Sequence, residues 1–503
     1  MTGSAGCKSG SELTHYFMRK WFPLLLIVGF LVLSPWFSLP GLGLYDSKRV
    51  FQLILFGVLA IWYMCCWLKN REYSDRYDCQ PVLGRAGLSA ILLVIIGGAV
   101  SVFGSYRMDI AILEFSLFLL LILFVFRMAP LNRMEHFRLG RIIFGTALLY
   151  LLLYLTLFTG NYILSLQSSS VPLWPGRMSW MVMMDGEMWS PKEVLYFANR
   201  RFFNHTQTWT LPILIALLAL WHRKGYSRRV LWALFFSISL WWALLLASGG
   251  RGTLFGVLLS LVLLWLLFGR QVTRMAVQTL GSLGVGWVLY TVLFRWIPDV
   301  MEGAPIARIG SSGRYALWER SIEQWISAPF FGIGPMHFAR MTGENPTLAH
   351  PHNFYLQFLS EWGALATAGL ICLLYLSARG ALRYGKAGIF REENRLIYIG
   401  MFWAMLAAWI HAGFSGVMHT PLSQIWLLLI AAWLIGYARY NGSDRQPVLP
   451  AAAAALLILM FTVIVFVYAV PEIGSLSEGY KEYLERFEHR NLYPRFWEQG
   501  LFE

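Results

Sequence analysis

The sequence predicts an all-α, polytopic integral membrane protein of about twelve to thirteen transmembrane helices with two long loops on its outer, periplasm-like face. Three observations predict this. The 503-residue chain is 57% hydrophobic and only 14% charged, where a soluble chain carries roughly 25% charged residues. Apolar runs of about 20 residues, the length needed to cross the hydrocarbon, recur from end to end. Lysine and arginine gather in alternate loops, the pattern of a chain threaded repeatedly through a membrane.

Thirteen spans are expected. Five lie near 21–39, 50–68, 87–104, 110–127 and 141–162, and together make an N-terminal block over 1–160. No small-residue cleavage site follows the first, so it reads as a retained helix and not as a signal peptide. Four more, near 207–222, 230–247, 252–269 and 276–296, form a central block over 207–296. The last four, near 355–378, 396–416, 422–438 and 448–470, form a C-terminal block over 355–470. Lys69, Arg71, Arg76, Arg85, Arg223, Lys224, Arg228 and Arg229 fall in short loops of one side, which is therefore the inside, together with the N-terminus. The basic excess of the chain, +14, is then a topology signal. Nucleic-acid binding needs a continuous basic face, and these charges are scattered over short inner loops.

Two loops are long, 161–206 and 297–354, and both fall outside, as does the tail 471–503. Long loops on one face of a compact protein carry function. No cysteine lies in an outer loop, so no disulfide is expected. No CxxC or HExxH pattern suggests a metal.

The second long loop ends His350-Pro351-His352-Asn353 and leads into the tenth span. Pro351 disfavours helix at His350, and Asn353 is a good N-cap. His352 is thus expected at the outer edge, at the top of the helix. On a regular helix Gly363 falls below it on the same face, about 16 Å deeper, where it lets a neighbouring helix approach. Asn353, Gln357, Ser360 and Glu361 form a polar stripe that faces protein or water. Glu361, about two turns deep, needs a partner or an aqueous cavity.

Three basic stretches share that face. Ser248-Gly249-Gly250-Arg251-Gly252 is a short turn that puts Arg251 at a helix N-terminus. A cation there opposes the helix dipole, which makes sense if both face an anion; the alternative is an interfacial anchor. Ser311-Ser312-Gly313-Arg314 opens an amphipathic helix expected to run to Ser327, capped by Ser311 or Ser312, with Trp318, Ile322 and Trp325 on its apolar side. Arg200 and Arg201, followed by His205, lead into the sixth span and either hold a polyphosphate or anchor at headgroups. The first loop is rich in tryptophan: Trp174, Trp180 and Trp189 form an interfacial belt or stack on sugar rings.

These residues carry a resemblance. His352 and Gly363 match the H(X10)G motif of the O-antigen ligase family, and PHNFYLQFLSEWGALATAGL resembles the C-terminal signature that this family shares with O-antigen polymerases and bacterial O-oligosaccharyltransferases. SGGRG and SSGRYALWERSIEQWISAPFFGIGP resemble segments of the same superfamily, so that the likeness covers roughly 248–375. The family's arginine motif places leucine four residues on; Phe255 stands there instead. The resemblance implies transfer of a glycan from an undecaprenyl-diphosphate carrier to a hydroxyl acceptor on the periplasmic face of a bacterial inner membrane, with no metal and no cofactor. His352 would be the acceptor base, and Arg251 and Arg314 would bind the diphosphate, with Arg200, Arg201 and His350 as further substrate contacts. The acceptor stays open between lipid A–core, which makes the chain an O-antigen ligase, a growing glycan, and a pilin-like protein. A polyprenyl-glycan transporter is the alternative from another class, although its charges would lie along a midplane path.

Overall fold

The computed structural model describes residues 10–69, 84–129, 133–167, 195–296, 313–341, 348–386, 392–441, 451–486 and 494–502. A helix stands at each of the thirteen expected spans: α1 Gly10–Leu33, α2 Leu44–Lys69, α3 Gly84–Phe103, α4 Met108–Met128, α5 Arg133–Gln167, α6 Arg200–Arg223, α7 Arg228–Ala247, α8 Arg251–Phe268 and α9 Arg270–Thr291, then α11 Phe354–Lys386, α12 Glu392–Ala412, α13 Pro421–Asn441 and α14 Ala451–Ile473. Between α9 and α11 lies the expected surface helix, α10 Arg314–Ser327, and α15 Leu476–Arg486 follows the last span. Among the described residues, ten helices are long and apolar enough to cross a membrane, and the apolar stretches in α1 and α13 are shorter. The protein is an all-α polytopic membrane protein. The stretch carrying Trp174, Trp180 and Trp189, and the residues Ser311 and Ser312, lie outside the described residues.

The third helix outside those ten is α6, and its sequence shows why. Its N-terminal half is NHTQTWT, too polar for lipid. It is the centre of the protein instead: every residue from Phe203 to Leu220 is buried, against α12, α7, α8, α9, α5 and α13. Each polar group there has a specific partner, as burial requires. Gln207 donates to the Trp241 carbonyl at 2.8 Å. Thr208 meets Thr253 at 2.9 Å and His411 Nδ1 at 2.8 Å. Trp209 Nε1 donates to Ser423 Oγ at 2.6 Å. Asn199 caps the helix by accepting from the Arg201 N–H at 2.9 Å, which fixes where the two arginines emerge.

Two expectations change. The cap of α10 is Gly313, at φ +75 and without a side-chain bond; left-handed backbone there suits glycine better than serine. More important, α11 is not a regular helix. Gly363 has φ +74 and ψ 177, which breaks it. The chain that approaches there is not a neighbouring helix but the loop following α10. Ala364 and Leu365 donate their amides to the Pro329 and Phe330 carbonyls at 2.9 and 3.2 Å, and Ile333 and Gly334 donate to the Ser360 and Glu361 carbonyls at 2.9 and 3.0 Å. The break frees the groups a helix would have used internally, and the inserted loop satisfies them.

Gly363→Ala is therefore expected to be severe. A Cβ would stand 2.3 Å from the Phe330 carbonyl oxygen, at a φ that L-residues avoid. Strain and overpacking together suggest a loss of about 2–5 kcal/mol. Thermal unfolding of the detergent-solubilised protein measures it, and a wild-type midpoint would mean that the loop does not dock at Gly363.

The segment after α14 turns back to the end of the bundle where the second long loop lies. Met341 donates its amide to the Phe502 carbonyl at 2.7 Å and Phe502 donates to the Ala339 carbonyl at 3.3 Å. Ala339 and Ala349 pack with Tyr483 and Leu501.

Candidate functional site

Five chain segments meet at that end: the start of α6, the α7–α8 turn, the start of α10, the turn 348–353 before α11, and the α12–α13 connection 413–420. The turn before α11 is held from several sides. Asn353 Oδ1 accepts from the amides of Tyr355 and Leu356, both at 3.1 Å, so the expected cap is present. Trp318 Nε1 of α10 donates to the Pro351 carbonyl at 3.1 Å. His352 takes a left-handed φ of +54, a conformation uncommon outside glycine and concentrated at functional positions.

That backbone turn sets two imidazoles side by side. The His350 and His352 ring centroids are 4.2 Å apart, edge to face, and the His352 amide donates to His350 Nδ1 at 3.2 Å. His352 Nε2 lies 3.2 Å from Arg201 Nη1. A guanidinium only donates, so Nε2 accepts. Neutral His352 then carries its proton on Nδ1 and its lone pair on Nε2. Burial lowers the basicity of His352 first, then His350, Arg201, Arg314 and His205 lower it further, and its conjugate acid lies well below the usual histidine range. His350 is pushed down to about 3 by burial, Arg495 and Arg201.

Around this pair the arginines crowd. Burial and then Arg314, Arg200 and Arg251 lower the pKa of Arg201. Burial and then Arg251 lower that of Arg314. These cations stand near enough to repel one another, and the fold keeps them there. Three of them begin a helix: Arg200 opens α6, Arg251 opens α8 and Arg314 opens α10, the end of a helix whose dipole favours an anion. Arg314 Nε is buried and has no hydrogen-bond partner among the described residues. The structure thus brings together Arg200, Arg201, Arg251, Arg314, His350 and His352. The arrangement is suited to a polyanion beside a neutral base.

Three more histidines line the floor. His205 Nε2 meets Ser415 Oγ at 2.8 Å, and its ring lies 5.4 Å from that of His411. His411 is seated against Gly252, where a Cβ would come within 2.6 Å of its Nε2, so the third glycine of the SGGRG stretch serves close approach. His419, on the α12–α13 connection, lies 5.7 Å from His350. The sequence marked His205 but not His411 or His419; their signal is an ionisable residue inside or at the edge of an apolar span. Among the described residues no group of three or more His, Cys, Asp or Glu is placed to hold a metal.

Glu361 has found its partner, and it is not in any span. Arg495, from the segment after α15, reaches Glu361 Oε2 at 2.6 Å and Glu114 Oε1 at 2.7 Å, with all three side chains largely buried. Phe338 donates its amide to Glu361 Oε1 at 3.0 Å, and Gln357 Nε2 donates to Oε2 at 3.1 Å.

The family model described as O-antigen ligase matches residues 235–371. The matched stretch contains Arg251, Arg314, His350, His352 and Gly363. No curated protein matches the chain.

Proposed function

We propose, from the match of residues 235–371 to the family model described as O-antigen ligase, that the chain is a membrane glycosyltransferase that moves an oligo- or polysaccharide from an undecaprenyl-diphosphate carrier to a hydroxyl acceptor. The acceptor we assign is lipid A–core, and the face is the periplasmic one of a bacterial inner membrane. One observation carries the reading: His352 Nε2 lies 3.2 Å from Arg201 Nη1, in a nest of arginines at three helix N-termini.

The chemistry balances with these groups alone. The acceptor hydroxyl oxygen attacks the anomeric carbon of the donor sugar, and the bond from that carbon to the diphosphate oxygen breaks. The hydroxyl proton passes to His352 Nε2, which is neutral. Undecaprenyl diphosphate leaves with its charge spread over the guanidiniums of Arg251, Arg314 and Arg201, whose planar forks match phosphate oxygens. Arg200 and His350 complete the substrate contacts. The resting contact between Arg201 and His352 adds order to the cycle: a diphosphate that draws Arg201 away frees the imidazole lone pair.

The test is reconstitution of the purified protein with lipid-linked glycan and each of three acceptors in turn: lipid A–core, a second glycan carrier and a pilin-like protein. Transfer to lipid A–core is expected. Transfer to a carrier-linked glycan alone would make the chain a polymerase, and transfer to protein alone an O-oligosaccharyltransferase. Movement of intact donor across a vesicle with no transfer would support the transporter reading.

A further inference from the structure

The segment after α15 reaches into the site through a chain of side chains whose protons can be assigned. Arg495 donates to Glu361 Oε2, at 2.6 Å. Gln357 spends its amide hydrogens on the same carboxylate, at 3.1 Å, so its Oε1 is left to accept. His419 Nε2 stands 2.9 Å from that oxygen and must be the protonated nitrogen. The His419 backbone is fixed separately, since its carbonyl accepts from Arg49 Nη2 at 2.6 Å. His419 in turn packs 5.7 Å from His350. The His350 ring is wedged on Gly416, where a Cβ would come within 2.9 Å of it, and its Nδ1 accepts the amide of His352 at 3.2 Å. Arg495 also holds the turn directly: its Nη1 lies 3.5 Å from the carbonyl of Ala349, one residue before His350.

The same segment pins the loop that carries this turn. Arg340 and Phe502 form a parallel β-bridge, and the Arg495 backbone carbonyl accepts from Tyr45 of α2 at 2.6 Å. The backbone of His352 sits at φ +54, so its geometry has to be imposed from outside.

We infer that Arg495 is a positioning residue for transfer: acting through Glu361, Gln357 and His419, and through Ala349, it fixes the ring orientation of His350 and the backbone turn that presents His352. The inference rests on the proposed role of His352 as base. It makes the segment after the last span a working part of the site and not a trailing end.

The test uses full-length protein in proteoliposomes. Replacing the charges of the buried cluster, as Arg495→Met with Glu114→Leu and Glu361→Gln, leaves none of its charges unpaired and keeps an oxygen at position 361 to accept the Phe338 amide, so insertion and thermal midpoint are expected to stay near wild type. Gln357→Met cuts the link to His419 while leaving the Arg495–Glu114 pair. Both are expected to lower kcat about 10- to 100-fold, the scale of a displaced catalytic group, with donor KM unchanged. His419→Gln, which keeps a donor near the place of Nε2, should retain more activity than His419→Leu. Nitrogen NMR of histidine-labelled protein supplies a readout independent of transfer: His419 protonated on Nε2 in the wild type, and a tautomer mixture in Gln357→Met. Wild-type kcat in the cluster and Gln357→Met variants would overturn the inference, as would a single His419 tautomer in Gln357→Met. Absence of transfer by the wild-type protein would remove the proposed function, and the NMR result would still decide whether the relay fixes the histidine.

Discussion

His352→Ala is expected to lower the rate of transfer by about 10²–10⁴-fold, the usual worth of a general base, while the affinity for the lipid-linked donor is kept. The separation follows from the geometry. The base proposed for the acceptor's proton is His352, whose Nε2 lone pair faces Arg201 Nη1 at 3.2 Å. In the proposed reading the donor's charge is met by the guanidiniums of Arg251, Arg314 and Arg201, which this substitution leaves in place. His350→Ala is expected to cost less, because His350 supports the His352 turn through its Nδ1 and its ring is wedged on Gly416. Steady-state transfer in proteoliposomes, with donor binding measured alongside, checks both. Intact transfer in His352→Ala together with loss in His350→Ala would reverse the two roles.

The pH dependence carries the same assignment. Burial and the surrounding cations keep the conjugate acids of His350, at about 3, and His352 well below the ordinary histidine range. The base is therefore already neutral through pH 6–8, and kcat/KM for the free protein should show no inflection near 6.5. Stability moves the other way from a salt-bridged histidine. The unfolded chain protonates these residues below about pH 6.5 while the folded chain does not, so stability falls as pH drops below that value.

Much of this was legible in the sequence, for reasons that particular residues make plain. A span announces itself by local hydropathy, so every predicted span coincides with a helix. Arg251 and Arg314 announce themselves because SGGRG and SSGR each mark a turn into a helix, and position at a helix start is a local property. Gly363 shows the limit of that logic. Periodicity assumes a regular helix, and the break is imposed by a loop, Phe330 to Gly334, whose docking no pattern within α11 records. Polar α6 was expected as a span, but not as the centre of the bundle; its place follows from the partners that Gln207, Thr208 and Trp209 find on other helices. The Arg495–Glu361 pair is the furthest from view. Glu361 asked for a partner, but the partner lies 134 positions away, and long-range ion pairs leave no spacing to read. His411 and His419 were missed for a related reason: each is a single polar residue in an apolar context until α6 and α11 are brought against it.

Arg314→Lys and Arg314→Ala are both expected to lose most transfer, by about 10²–10³-fold, the worth of one fixed donor to a developing oxyanion. Lysine fails because an ammonium is a point charge without the planar fork that meets two phosphate oxygens at once. Arg251 should behave in the same way, since both arginines open helices that face the same cluster and each lowers the basicity of its neighbours. The mutual repulsion supplies a second, opposite signature. Removing one cation from a crowded group relieves the folded state, so Arg314→Ala should be slightly more stable than wild type without substrate. The gain is at most about 1 kcal/mol, because partly exposed charges are screened. Added pyrophosphate should raise the thermal midpoint of the wild type and raise it less in the variant, since an anion that binds only the folded cluster stabilises it by mass action. A headgroup anchor would do none of this. Arg314→Ala with wild-type transfer, or with lower stability and an undiminished response to pyrophosphate, would show that the guanidinium holds the membrane surface and not the leaving group.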